Sequence, residues 1–263
     1  MVTIGVTQWS LDRSGADSLL DAADLGFKVI HIDAGALDGG MLLDDTRLQK
    51  AYSEAELESG VKIGAIAPSS LSQYGITSPP GSQNANRCWE LMRIAIDAAV
   101  QMNVELVFIP SFRASEIHTE VDFERTSIFL RKACEYAASS KLLVATENTL
   151  GVDGNLKLLN EVAHPKLRIL MDTLNPLYWD HNPVDLLNQL WPHIAPQIHV
   201  KDGINGGMGN AILGTGQGNF SEIGNTLVSH GFDGILISEN DYCGDRRIFA
   251  AQDIAVLNAL FQG

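Results

Sequence analysis

The chain is short of positive charge. Its 18 Lys and Arg residues stand against 32 Asp and Glu, giving a formal net charge of -14 at pH 7. That balance opposes binding to a polyanion, which requires a basic face, so no nucleic-acid partner is expected. Lys and Arg gathered in one cleft would still serve a small phosphorylated ligand. Cysteine is sparse as well. Cys88, Cys134 and Cys243 form an odd set without a CxxC pair, and they read as free thiols of a reducing compartment. No run of about 18 apolar residues occurs, so no membrane span is expected. The opening MVTIGVTQWS lacks a basic region followed by a long apolar stretch, so no signal peptide is expected and the location reads as cytoplasmic.

What is present is the material of a large folded domain. Hydrophobic residues make up 45% and charged residues 19%, which excludes a disordered chain. Short Val/Ile/Leu-rich runs recur at 2–8, 28–33, 61–67, 104–110, 141–147, 167–172, 197–201 and 234–239. Each has the length and composition of a strand covered on both faces. Between them lie stretches with helical periodicity. SLLDAADLGF places Leu19, Leu20, Ala23 and Phe27 on one face, with Gly26 as a stop. The segments 86–102 and 123–138 repeat apolar residues at helical spacing, and VDLLNQL, FSEIGNTLVSHGF and FAAQDIAVLNALF follow. Strand then helix, repeated eight times, implies a parallel sheet with right-handed crossovers. At 263 residues the expected fold is α/β, a single (β/α)8 TIM barrel spanning 1–263 as one domain.

In such a barrel the chemistry belongs to the C-terminal strand ends and the loops that follow them. Strand five ends in Glu147, strand six in Asp172 and strand eight in Glu239, while strand seven carries His199. Three carboxylates and one neutral imidazole suit Mn²⁺ or Mg²⁺, with Co²⁺ and Fe²⁺ as relatives. Without a cation the carboxylates would repel one another and raise their own pKa values. One divalent ion held by Glu147, Asp172, His199 and Glu239 is therefore expected.

These residues carry a resemblance. LVATEN with Glu147, ILMDTLN with Asp172, IHVKD with His199 and LISEN with Glu239 resemble the xylose isomerase-like barrel superfamily of sugar and sugar-phosphate isomerases and epimerases. The TQWSL opening with Trp9 and the glycine-rich GTGQGNF (214–220) extend the resemblance across the chain. It implies a small sugar or sugar-phosphate substrate and homo-oligomers such as dimers or tetramers. It also implies that Glu147 and Glu239 act as an acid–base pair on the carbon beside a ketone, through an enediolate that the metal stabilises. Asn175 stands where many of the 3-epimerases carry His. The run His199, Val200, Lys201, Asp202 is closer to the inosose dehydratase branch. Lys201 is accordingly a candidate catalytic residue, and a metal-dependent keto-polyol dehydratase or keto-sugar lyase is the alternative activity.

Other substrate-contact candidates are Trp9, for stacking on a sugar face, His31 at the end of strand two, Ser69 after strand three, Arg113 after strand four, and Asn175. Arg113 has the fork to bind a carboxylate or phosphate bidentately. One of Arg246 and Arg247 could reach the same rim. GTGQGNF could offer backbone N–H groups to an anion, but it does not directly follow a strand and reads as a flexible loop. A relative of the apurinic-site endonucleases would need a larger set of His ligands than seven His residues at these positions supply. A non-catalytic sugar-binding protein would have no use for the complete ligand set.

Overall fold

The computed structural model describes residues 2–39 and 41–261. Eight parallel strands form one sheet: β1 (Thr3–Thr7), β2 (Val29–Asp33), β3 (Lys62–Ala67), β4 (Leu106–Pro110), β5 (Leu143–Glu147), β6 (Leu167–Ile169), β7 (Gln197–Val200) and β8 (Ile235–Ser238). Their hydrogen-bonded order is β6-β5-β4-β3-β2-β1-β8-β7. Helices separate them: α1 (Asp17–Leu25), α2 (Thr46–Ser59), α3 (Leu71–Tyr74), α4 (Gln83–Gln101), α5 (Glu120–Tyr136), α6 (Val152–Val162), α7 (Pro183–Leu190), α8 (Phe220–Ser229) and α9 (Phe249–Leu260). Among the described residues, no helix is long and apolar enough to cross a membrane.

The chain divides into two compact units. One comprises the residues up to His31, Glu54–Ile63 and everything from Leu170 on; the other comprises Ile32–Ser53 and Gly64–Ile169. In the second unit every residue of β4 is buried, as a strand covered on both faces demands. Two of its helices start at side-chain caps: Ser82 Oγ accepts from Ala85 N–H ahead of α4, and Thr119 with Asp122 forms a capping box for α5. Arg113, after β4, is exposed and holds a left-handed φ of 54°. In the first unit β1 pairs with β8 and β8 with β7. Helix α1 ends at Gly26, whose φ of 96° supplies the left-handed cap that stops it there.

Four expected strands end early: β1 and β7 by one residue, at Thr7 and Val200, and β6 and β8 at Ile169 and Ser238. Beyond Ile169 the chain bonds to β7: His199 N–H donates to Met171 C=O at 2.9 Å and Thr173 N–H to His199 C=O at 3.1 Å. Asp172 Oδ1 then accepts from the N–H groups of Leu174 and Asn175, at 2.8 and 2.6 Å, and turns the chain away. β8 ends at Ser238, although Glu239 N–H still donates to Val200 C=O at 2.9 Å. Asp172 thus stands in a parallel bridge to His199, and Glu239 just past the last residue of β8.

Candidate metal centre

Asp172, His199, Glu239 and Lys201 meet in the first unit. Two carboxylates and an imidazole at strand ends cannot sit bare among apolar neighbours, and each has a partner that fixes it. Glu239 Oε1 accepts from the Trp9 indole N–H at 2.7 Å, and Glu239 Oε2 lies 2.5 Å from Lys201 Nζ and 3.5 Å from His199 Nδ1. Burial alone would push the Glu239 carboxyl up. The Lys201 ammonium and then His199 outweigh it, and the carboxyl is held well below the usual carboxylate range. Asp172 Oδ1 is fixed by the turn, while its buried Oδ2 accepts no hydrogen bond and has Lys201 Nζ at 3.1 Å.

His199 is aimed by two buried side chains. His31 Nε2 lies 2.6 Å from Gln197 Oε1, an oxygen that only accepts, so the His31 proton belongs on Nε2. Burial, and then the neighbouring His199, pushes the His31 pKa down to about 3, so the ring is neutral and Nδ1 carries a lone pair. That lone pair faces His199 Nε2 at 3.0 Å and accepts a hydrogen bond from its N–H. The remaining nitrogen, His199 Nδ1, points at Glu239 and is the position that a proton or a metal ion can take. Support of this kind for a ligand imidazole is the usual arrangement behind metal sites.

Glu147 is the last residue of β5 and is buried. In the first unit Asp172, His199 and Glu239 each offer one ligand atom, and these atoms lie within 4.8 Å of one another, so the group could hold a metal ion. Within that unit the two carboxylates exceed the one ammonium, a surplus of negative charge that a bound cation would offset. The donor set and the buried Asp172 Oδ2 both fit such an ion.

The structure places the other candidates differently from one another. His31 is fully buried, and its ring nitrogens face Gln197 and His199, so it has no surface to offer a substrate. Trp9 keeps 42% of its surface and also orients Glu239. Asn175 is buried and reaches Asp172 through its backbone N–H. Ser69 hydrogen-bonds Asp33, whose carboxyl burial pushes up. Arg246 pairs with Asp241, and Arg247 with Asp21 and Asp12, so neither is directed at the centre.

The anion that GTGQGNF receives is the chain's own. The N–H groups of Gly214, Gly216 and Gly218 donate to the fully buried Asp202 carboxylate at 2.9–3.0 Å, joined by Gly203 N–H at 2.8 Å. Asp202 N–H donates to Asn240 Oδ1, and Asn240 Nδ2 and Tyr242 Oη both donate to Asp253 Oδ2. This buried network ties the residue after Lys201 to the residue after Glu239. Sequence reasoning missed Gln197, Tyr242 and Asp253. A signal existed only for Gln197, which precedes His199 by two and therefore shares its strand face.

Residues 19–259 match the family model described as xylose isomerase-like TIM barrel. A 2-epi-5-epi-valiolone 7-phosphate 2-epimerase of Actinoplanes sp. is 35% identical over 240 residues, covering 91% of this chain and 87% of that protein. The crystal structure of a xylose isomerase domain protein from Planctomyces limnophilus superposes with a TM-score of 0.80 at 21% identity, covering 98% of this chain and 97% of that one. An L-ribulose 3-epimerase structure gives 0.79 at 18% identity, covering 100% and 95%. At those two identities the likeness is one of fold. On the matched span and the Actinoplanes relative together, the chain belongs to the xylose isomerase-like TIM barrel family.

Proposed function

We propose that the chain is an enzyme, a divalent-metal-dependent isomerase or epimerase of a small keto-sugar or cyclic keto-polyol, acting by removal of the proton beside the carbonyl. The observation that carries this reading is the convergence of Asp172, His199 and Glu239, to which we add Glu147 at the end of β5 as the fourth ligand. A divalent ion bound by those four would supply Lewis acidity toward the substrate's carbonyl and hydroxyl oxygens. Mn²⁺ and Mg²⁺ suit the oxygen-rich donor set best, with Co²⁺ as a further candidate.

The side chains do the rest. Glu239 stays ionised at neutral pH and is held in one orientation by Trp9 and Lys201, so it can accept a proton. Glu147 is the second carboxylate, and two such groups on opposite faces of a planar enediolate allow a proton to leave one side and return to the other. Lys201 can donate to a substrate oxygen. We take 1–263 as one barrel domain, and three free thiols suit the cytoplasm.

The Actinoplanes relative is named for a cyclic ketone phosphate, which supports a phosphorylated or cyclic substrate here. Arg113 is the anion contact we assign. The lyase alternative loses one of its two supports, because Asp202 is engaged by four backbone N–H groups. The test is incubation of the Mn²⁺-loaded protein in D₂O with ketoses, ketose phosphates and inososes, followed by NMR. Deuterium in an epimeric product beside the carbonyl is expected. Loss of water would mark a lyase, and no exchange with any compound would overturn the reading.

A further inference from the structure

A metal site of three carboxylates and an imidazole does not require an ammonium, yet Lys201 reaches into this one. Its Nζ lies 2.5 Å from Glu239 Oε2 and 3.1 Å from Asp172 Oδ2, and its side chain is 7% exposed. The backbone holds it there: Lys201 N–H donates to Thr173 Oγ1 at 3.2 Å, and the next residue, Asp202, is anchored by four amides. The two oxygens touched by the ammonium belong to two of the four proposed ligands. A divalent ion at bonding distance from the same lone pairs, roughly 2.0–2.2 Å, would face the ammonium across a few ångströms of low-dielectric interior. The two cations would repel one another there and compete for those oxygens. The contact with Asp172 Oδ2 is also a loose one, a charge contact without hydrogen-bond alignment.

We propose that Lys201 is the resident counter-cation of the metal-free enzyme, and that metal binding is a cation exchange displacing its ammonium from Asp172 and Glu239. The inference rests on the metal reading above. Lys201 then has two opposed effects. It keeps mutually repelling carboxylates compatible with the folded chain while no ion is bound, and it competes with the ion that replaces it. The displaced ammonium remains tethered beside the centre, where a substrate oxygen can receive its hydrogen bond.

The test uses the full chain, stripped of metal with a chelator, then titrated with Mn²⁺ by calorimetry and melted without metal. Lys201→Met is expected to bind Mn²⁺ roughly tenfold more tightly, the equivalent of one charge-assisted hydrogen bond that the competitor no longer makes. Its metal-free melting temperature is expected to fall. Lys201→Gln, neutral but polar, serves if Lys201→Met does not fold, and the same signs are expected of it. Weaker or unchanged Mn²⁺ affinity beside normal binding by the unsubstituted chain overturns the exchange and leaves the metal reading standing. No Mn²⁺ binding by either protein overturns the metal reading and the exchange with it.

Discussion

Glu239 and His199 show how single side chains acquire a role from their neighbours. Glu239 is buried enough to be pushed toward protonation, and Lys201 and His199 reverse that outcome. His199 presents Nδ1 because His31 and Gln197 settle where the protons lie. Replacing His31 with Ala should lower Mn²⁺ affinity about 10- to 100-fold while the fold persists, measured by titration calorimetry. His31 also has a stability signature. Its folded pKa, lowered from 6.5 to about 3, lies below the unfolded value, so the unfolded chain takes up the proton first. Stability of the metal-free chain should therefore be lost as pH falls from about 6.5 toward 3, by up to ~1.4 kcal/mol per pH unit. Urea unfolding at pH 7 and pH 5 should show a smaller loss for His31→Gln than for the unsubstituted chain. Arg113 makes a different prediction. With an exposed fork, Arg113→Ala should raise KM for a phosphorylated substrate about 10- to 100-fold, with kcat little changed and unphosphorylated analogues unaffected.

The loop between β7 and α8 is organised by Asp202, whose four amide partners and Asn240 contact hold Lys201 and Glu239 in register. Asp202→Asn should cost roughly 3–5 kcal/mol, because several charge-assisted hydrogen bonds weaken at once. Amide exchange at Gly214, Gly216 and Gly218 should accelerate with it. Little in the sequence announces this arrangement: GTGQGNF reads as a flexible loop, and even as an anion loop its spacing cannot say that the anion is twelve to sixteen residues upstream. The eight strands were legible because Val, Ile and Leu runs covered on both faces have few other readings. Helices α2, α3 and α6 were not singled out. α2 is largely polar, and α6 carries Gly154 and Asn155, poor helix formers whose presence is offset by the Asn155 side chain bonding Leu150 C=O and Gly151 C=O. The candidate ligands were legible because strand ends are where a barrel places chemistry, whereas His31 gave no sign of facing His199.

For the chain as a whole, an acidic charge balance and a centre rich in carboxylates point the same way, toward a protein whose stability responds to a divalent cation. An ion that binds only the folded chain stabilises it by about 2.7 kcal/mol at a hundred times its Kd. For a chain of this length that corresponds to a rise of roughly 5–10 °C in Tm on adding Mn²⁺, reversed by a chelator. Monovalent salt at equal ionic strength should not reproduce the rise. The most direct test of the central claim is deuterium exchange from D₂O into a turned-over ketose or keto-polyol, compared among the Mn²⁺-loaded chain, Glu147→Gln and Glu239→Gln. The two-carboxylate account predicts label beside the carbonyl with the unsubstituted chain, and epimerisation reduced at least 10³-fold in each variant. Full epimerisation surviving in either variant would contradict it.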